Sequence, residues 1–151
     1  MSETFNLNIT WNSNNKPFTY AEYSREYLIS ASGKNQPIPG TAATSYKGTA
    51  ENYNPEELLI GALSGCHMLS YLAVCATSGI EILSYIDEPF GSLEKHGSSM
   101  KFREITLKPK IKLKKQEDLE KAKTLHDKAH HICFISNSLN FPVQVEPEFT
   151  F

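Results

Sequence analysis

The chain has 151 residues, a net charge of -2 and a 40% hydrophobic content. A single domain of this size buries roughly 70% of its unfolded surface, so its core needs no metal or disulfide staple. The near-zero charge, with arginine only at positions 25 and 103, excludes a broad nucleic-acid or anionic-membrane footprint.

In chain order, the residues from Phe5 to Trp11 alternate as a strand, and those from Phe18 to Ser32 as a second. The polar run Asn12–Pro17 is the turn between them, and Pro37-Ile38-Pro39-Gly40 punctuates a loop. The N-terminus has no basic segment followed by an apolar one, so no export signal is expected and the location is expected to be cytoplasmic. Asn54 then offers a helix N-cap, Pro55 suits the first helical position and Glu57 completes a capping box. This helix is expected to run to about Ser78, with Gly79 as its stop. It is apolar nearly all round, from Leu58 to Val74, which predicts burial on every side. It reads as a core helix and not as a membrane span, because Ser64, His67 and Ser70 interrupt it. Gly61 and Gly65, one turn apart, would admit a second helix at close range.

Two strands are expected next, Ile80–Glu94 and Lys101–Leu113, turning at His96–Ser99. Residues 117–131 form an amphipathic helix whose inner stripe is Leu119, Ala122, Leu125 and Ala129. Lysines and carboxylates alternate around it as a solvated face. Val143 and Val145 suggest a last strand. The order βββ–α–ββ–α–β predicts an α+β fold in one domain spanning residues 1–151.

Three cysteines at 66, 75 and 133, with no CxxC pair, argue against a disulfide framework and leave cytoplasmic thiol chemistry open. Cys66 sits mid-helix, about three turns from the helix N-terminus, so the dipole cannot activate its thiol. Cys75 lies about 13.5 Å further along the same helix, beyond the reach of a disulfide to Cys66. Cys133 comes from another element and is free to meet Cys66. His126 and His130 stand at a spacing that can ligate metal, but no third ligand accompanies them, and no metal or other cofactor is expected. His67 points away from Cys66, being its neighbour along the helix, and reads equally as a core histidine bonded to a carbonyl or as a catalytic one.

Two blocks, Asn54-Pro55-Glu56-Glu57-Leu58 with Cys66 ten residues beyond Glu56, and Cys133-x-x-Ser136-Asn137, carry a resemblance to the OsmC/Ohr family. The segment Gly65-Cys66-His67-Met68-Leu69 is similar to a less-studied branch of it. The resemblance implies an intertwined homodimer with long central helices enclosed by antiparallel sheets. It also implies a cysteine-based peroxidase that reduces organic hydroperoxides to alcohols. By position, Cys66 is then the peroxidatic cysteine, Cys133 the resolving one and Glu56 the active-site carboxylate. Arg25 is the match for the thiolate-pairing arginine, with Arg103 as its rival. The implied partners are a second copy of the chain, an external dithiol reductant (a lipoyl or thioredoxin-like protein) and a small organic hydroperoxide, with no nucleic acid and no membrane. The alternatives are a non-catalytic binder of a small apolar ligand on the same fold, or a zinc-dependent hydrolase built on His126, His130 and Cys133.

Helix geometry adds one expectation. Ten residues of one helix separate Glu56 from Cys66 by about 15 Å, too far for one site within a chain. An antiparallel partner helix crossing near Gly61, their midpoint, would bring Glu56 of one chain beside Cys66 of the other.

Overall fold

The computed structural model describes residues 2–151; Met1, where the N-terminal reading begins, lies outside them. The chain forms two compact units, one ending at Leu58 and the other running from Leu59 to Phe151.

In the first unit β1 (Asn8–Thr10), β2 (Tyr27–Ser30) and β3 (Ile38–Gly40) make one antiparallel sheet in that order. Both expected strands shrink, and the loop expected at Pro37–Gly40 is a strand instead. The polar turn holds: Asn14 and Asn15 take positive φ, and the Asn12 side chain accepts from Asn14 N. Alternation then fails from Phe18 to Tyr23, where the amides of Glu22 and Tyr23 both donate to Thr19 O. The aromatics there do not alternate across a sheet. Trp11, Phe18 and Tyr23 cluster with ring centroids 5.6–6.4 Å apart, and Trp11 Nε1 donates to Ser24 O.

Helix α1 (Pro55–Thr77) is the element whose ends the sequence encodes most strongly. Asn54 Oδ1 accepts from Glu57 N at 2.9 Å, and Glu57 Oε2 accepts from Asn54 N at 3.1 Å, a reciprocal capping box. At the other end Gly79 takes φ +76°. Ile80 N donates to Cys75 O and Gly79 N to Ala76 O, closing a left-handed cap that only glycine adopts without strain. Replacing Asn54 with alanine should cost about 1 kcal/mol, read as a lower urea midpoint at unchanged slope.

The second unit holds most of α1, α2 (Leu119–Ile132) and two three-stranded sheets. Each expected strand is in fact two. The first divides into β4 (Ile82–Asp87) and β5 (Phe90–His96), the second into β6 (Ser99–Leu107) and β7 (Pro109–Leu113). Pro89 and Pro109, which cannot donate to a ladder, sit at the breaks. Asp87 bridges the second break by accepting from Lys108 N at 2.7 Å. After α2 come β8 (Val143–Val145) and a strand the periodicity did not reveal, β9 (Glu148–Thr150). One sheet has the order β4-β7-β9 and the other β5-β6-β8; β8 and β9 each add a parallel edge.

Two clusters fill this unit. Tyr71, Val74 and Cys75 of α1 pack with Ile111, Leu113, Ala122, Leu125 and Ala129. Leu63 packs with Ile105, Leu107 and Cys133, and Cys66 borders this second cluster. Leu119, expected on the inner stripe of α2, is only partly buried.

The expected all-round burial of α1 is not what the chain provides. Only the stripe Leu63, His67, Tyr71, Val74 and Cys75 is buried. Leu69 is 65% exposed, Ala62 and Ala73 are exposed as well, and nothing lies within 4 Å of a Cβ built on Gly61 or Gly65. By length and composition α1 could also cross a membrane. One chain therefore covers one side of an apolar helix and leaves the other bare.

Candidate active site

Cys66 and Cys133 come together although they belong to different elements of the second unit. Cys66 is partly buried on the fourth turn of α1, and Cys133 is the fully buried residue that ends α2. Cys66 packs against the cluster that holds Cys133, near enough for its side chain to act on the Cys133 thiol. Burial first, and then contact with Cys66, pushes the Cys133 thiol up to about 11, while the amides of Ser136 and Ile135 pull it down. Neither thiol is in a disulfide.

The segment after Cys133 folds back on it. Cys133 N donates to His130 O, and Asn137 N donates to Cys133 O at 3.0 Å. Ser136 N donates to Cys133 Sγ at 3.4 Å. Ser136 Oγ lies 3.2 Å from His130 Nδ1, and Asn137 Nδ2 donates to His131 O at 2.8 Å.

Cys75 stands apart from this pair. It is buried among Tyr71 and its neighbours, and burial pushes its thiol up. Cys75→Ala should leave any thiol-dependent turnover unchanged and lower stability by about 1 kcal/mol in thermal melts.

The histidines do not form the arrangement their spacing allows. His126 turns to His67, with Nδ1 3.1 Å from His67 Nε2, whereas His130 faces Ser136. Among the described residues, no group of three or more His, Cys, Asp and Glu side chains is placed to hold a metal ion. His67 meets neither a carbonyl nor a thiol; its bonded partner is the second imidazole. Desolvation, then the nearby His130, lowers His67 to about 4, and desolvation followed by His67 lowers His126 to about 3. The pair was hidden in the sequence, but one signal was available: His67 occupies the i, i+4 stripe of Leu63 and Tyr71, a core position.

In the first unit Arg25 is held locally. Its guanidinium lies 3.6 Å over the Tyr23 ring and donates to Tyr23 O and Tyr20 O, while its buried Nε has no partner. Beside it opens a cavity of about 510 Å³, walled by Trp11, Phe18, Tyr23 and Tyr27. Glu56 lies in the first turn of α1. Arg103, the rival arginine, is an exposed residue of β6, 3.8 Å from Glu104.

Comparisons with known proteins follow this geometry. A family model described as OsmC-like protein matches residues 48–148, two thirds of the chain. YmaD of Bacillus subtilis, an uncharacterized protein, is 29% identical over 104 residues, which are 67% of this chain and 69% of YmaD. An OsmC-like protein of unknown function from Vibrio cholerae superposes with a TM-score of 0.89 at 29% identity, covering 98% of this chain and 100% of that one. OhrB of Bacillus subtilis, an organic hydroperoxide resistance protein, has a TM-score of 0.59 at 23% identity, over 97% and 98% of the two chains. An organic hydroperoxide resistance protein OsmC from Legionella pneumophila has a TM-score of 0.67 at 14% identity, over 99% and 100%. These last two likenesses speak to the fold alone. The α+β arrangement of helices and sheets is that of OsmC-like proteins, and the chain belongs to the OsmC-like family.

Proposed function

We propose that this protein is a thiol-dependent peroxidase that reduces organic hydroperoxides, working as a homodimer in the reducing cytoplasm. The observation that carries this reading is the packing of Cys66, from α1, against the buried cluster that holds Cys133, at the end of α2. A partly exposed thiol backed by a fully buried one suits a first sulfur that meets substrate and a second that resolves it. Two proteins similar to this chain in fold are named organic hydroperoxide resistance proteins, and the proposed chemistry is the one those names describe.

In this cycle the Cys66 thiolate attacks the terminal peroxide oxygen. The O–O bond breaks, the alkoxide leaves and takes a proton to become the alcohol, and Cys66 carries the sulfenic acid. Cys133 sulfur then attacks Cys66 sulfur, the S–O bond breaks, and hydroxide leaves as water once protonated. An external dithiol, from a lipoyl or thioredoxin-like protein, reduces the disulfide and restores both thiols. By the family resemblance Arg25 is assigned the thiolate-pairing role and Glu56 that of the active-site carboxylate. The aromatic-walled cavity beside Arg25 suits an organic tail better than hydrogen peroxide. The bare face of α1 is the surface a second copy would cover.

The test is stopped-flow consumption of cumene hydroperoxide with a dithiol. Wild type should turn over, and Cys66→Ser should lose at least about a thousandfold, because a hydroxyl at neutral pH lacks the thiolate's nucleophilicity. Peroxide pulsing followed by mass mapping should recover a Cys66–Cys133 bond within one subunit. Equal turnover by Cys66→Ser, or a disulfide through Cys75, would exclude the reading.

A further inference from the structure

The geometry points to His130 and Ser136 as positioning residues that clamp Cys133 against Cys66, so that the disulfide closes without the segment after α2 having to reorganise. This rests on the Cys66–Cys133 pairing of the proposed function and adds to it residues with no part in the peroxide step. Cys133 ends α2, where the chain would otherwise be free to leave. Instead its backbone and its sulfur are tied at the same place. Ser136 N donates to Cys133 Sγ, and Asn137 N donates to Cys133 O.

Those amides come from a short turn, Ser136–Ser138, that is itself anchored by side chains. Ser136 Oγ lies 3.2 Å from Nδ1 and 3.3 Å from Nε2 of His130, one turn back on α2. Ser136 is nine-tenths buried, so water does not readily replace a lost imidazole partner. His130 thus fixes the hydroxyl, the hydroxyl fixes the turn, and the turn aims an N–H at the sulfur. A backbone N–H favours the thiolate form that attacks, against the burial and the Cys66 contact that raise the Cys133 thiol. Preorganisation of this kind appears as a high effective concentration of one thiol towards the other.

The 151-residue chain can be equilibrated in glutathione buffers of graded oxidation, with the Cys66–Cys133 bond quantified by mass mapping. Each disulfide formed transfers two electrons to oxidised glutathione, which leaves as two reduced molecules, so no hydroperoxide is needed. Ser136→Ala and His130→Ala should each lower the effective concentration by about tenfold, the worth of one buried hydrogen bond. Ser136→Thr and His130→Gln, which keep a hydroxyl or a donor, should recover most of it, with thermal melts run in parallel on all four. An unchanged value in both alanine variants would overturn the clamp. So would losses that follow the melting temperature and are not recovered by either conservative variant. A wild type that forms the bond yet ignores cumene hydroperoxide would remove the peroxidase reading and leave the clamp standing. A wild type that never forms the bond would remove both.

Discussion

Acidification from pH 7 to pH 4.5 should destabilise the protein sharply, and the buried pair of imidazoles at positions 67 and 126 should be a principal cause. Their nitrogens lie 3.1 Å apart. The rings are parallel within 6°, and Tyr71 stacks 4.0 Å from His126. His67 Nδ1 and His126 Nε2 are buried without partners. Neutral imidazoles fit such a place, because one nitrogen can donate to the other; two cations cannot. The facing charges do little to help. His130 opposes protonation of His67, and Asp87 favours it more weakly than burial opposes it. Tyr71 and Tyr85, also packed here, have phenols that burial holds in the neutral form.

The sign follows from linkage. Both folded-state values, about 4 and about 3, lie below the unfolded value of 6.5. The stabilisation is therefore complete above pH 6.5 and declines as the unfolded state takes up protons that the folded state refuses. Each imidazole contributes a loss that grows as the pH falls from 6.5 toward its folded value, and the two losses add. Urea midpoints at fixed protein concentration should fall steeply below pH 6, and His67→Gln/His126→Gln should flatten that slope. An equal slope in the double variant would assign the acid sensitivity to carboxylates elsewhere.

The helices were legible in the sequence because their signals are local. Asn54, Pro55, Glu57 and Gly79 encode both ends of α1 through side-chain and φ preferences that need no tertiary partner. The strands were less so. The aromatics from Phe18 to Tyr23 alternate like a strand, yet a turn at Thr19 and the Trp11 cluster claim them. The breaks at Pro89 and Pro109 were visible as prolines, but the side chain that bridges one of them, Asp87, comes from the paired strand β4. The site divides the same way. Helix geometry set Cys75 apart and the resemblance to the OsmC/Ohr family pointed to Cys66 and Cys133, whereas the His67–His126 contact is a long-range pairing that no local pattern encodes. The burial of α1 was misjudged for a related reason. An apolar surface records that something covers it, without recording whether the cover belongs to the same chain.

That bare surface leads to the second large effect: two impaired variants, Glu56→Ala and Cys66→Ser, should restore activity when their subunits are exchanged. Helix α1 is continuous from Pro55 to Thr77, so the ten residues between Glu56 and Cys66 rise about 15 Å along its axis. A carboxylate that orients an arginine on a thiolate has to work over roughly half that distance or less. An antiparallel second copy of α1 removes the conflict if the two-fold axis passes near Gly61, midway between the two positions. Gly61 is exposed, and the space beside it and Gly65 is open, as a close backbone approach requires. In a heterodimer, the Glu56→Ala chain keeps its cysteine and the Cys66→Ser chain keeps its carboxylate. A site shared across the axis is then complete once per heterodimer, whereas a site within one chain is never complete. Random exchange makes half the dimers mixed, each with one of its two sites whole, so about a quarter of wild-type turnover should return. A bulky residue at the crossing, as in Gly61→Leu, should weaken the dimer and abolish that recovery. No return of activity after exchange demonstrated by mass spectrometry, or a monomer by light scattering, would rule out the shared site and leave Glu56 without a part in the chemistry of Cys66.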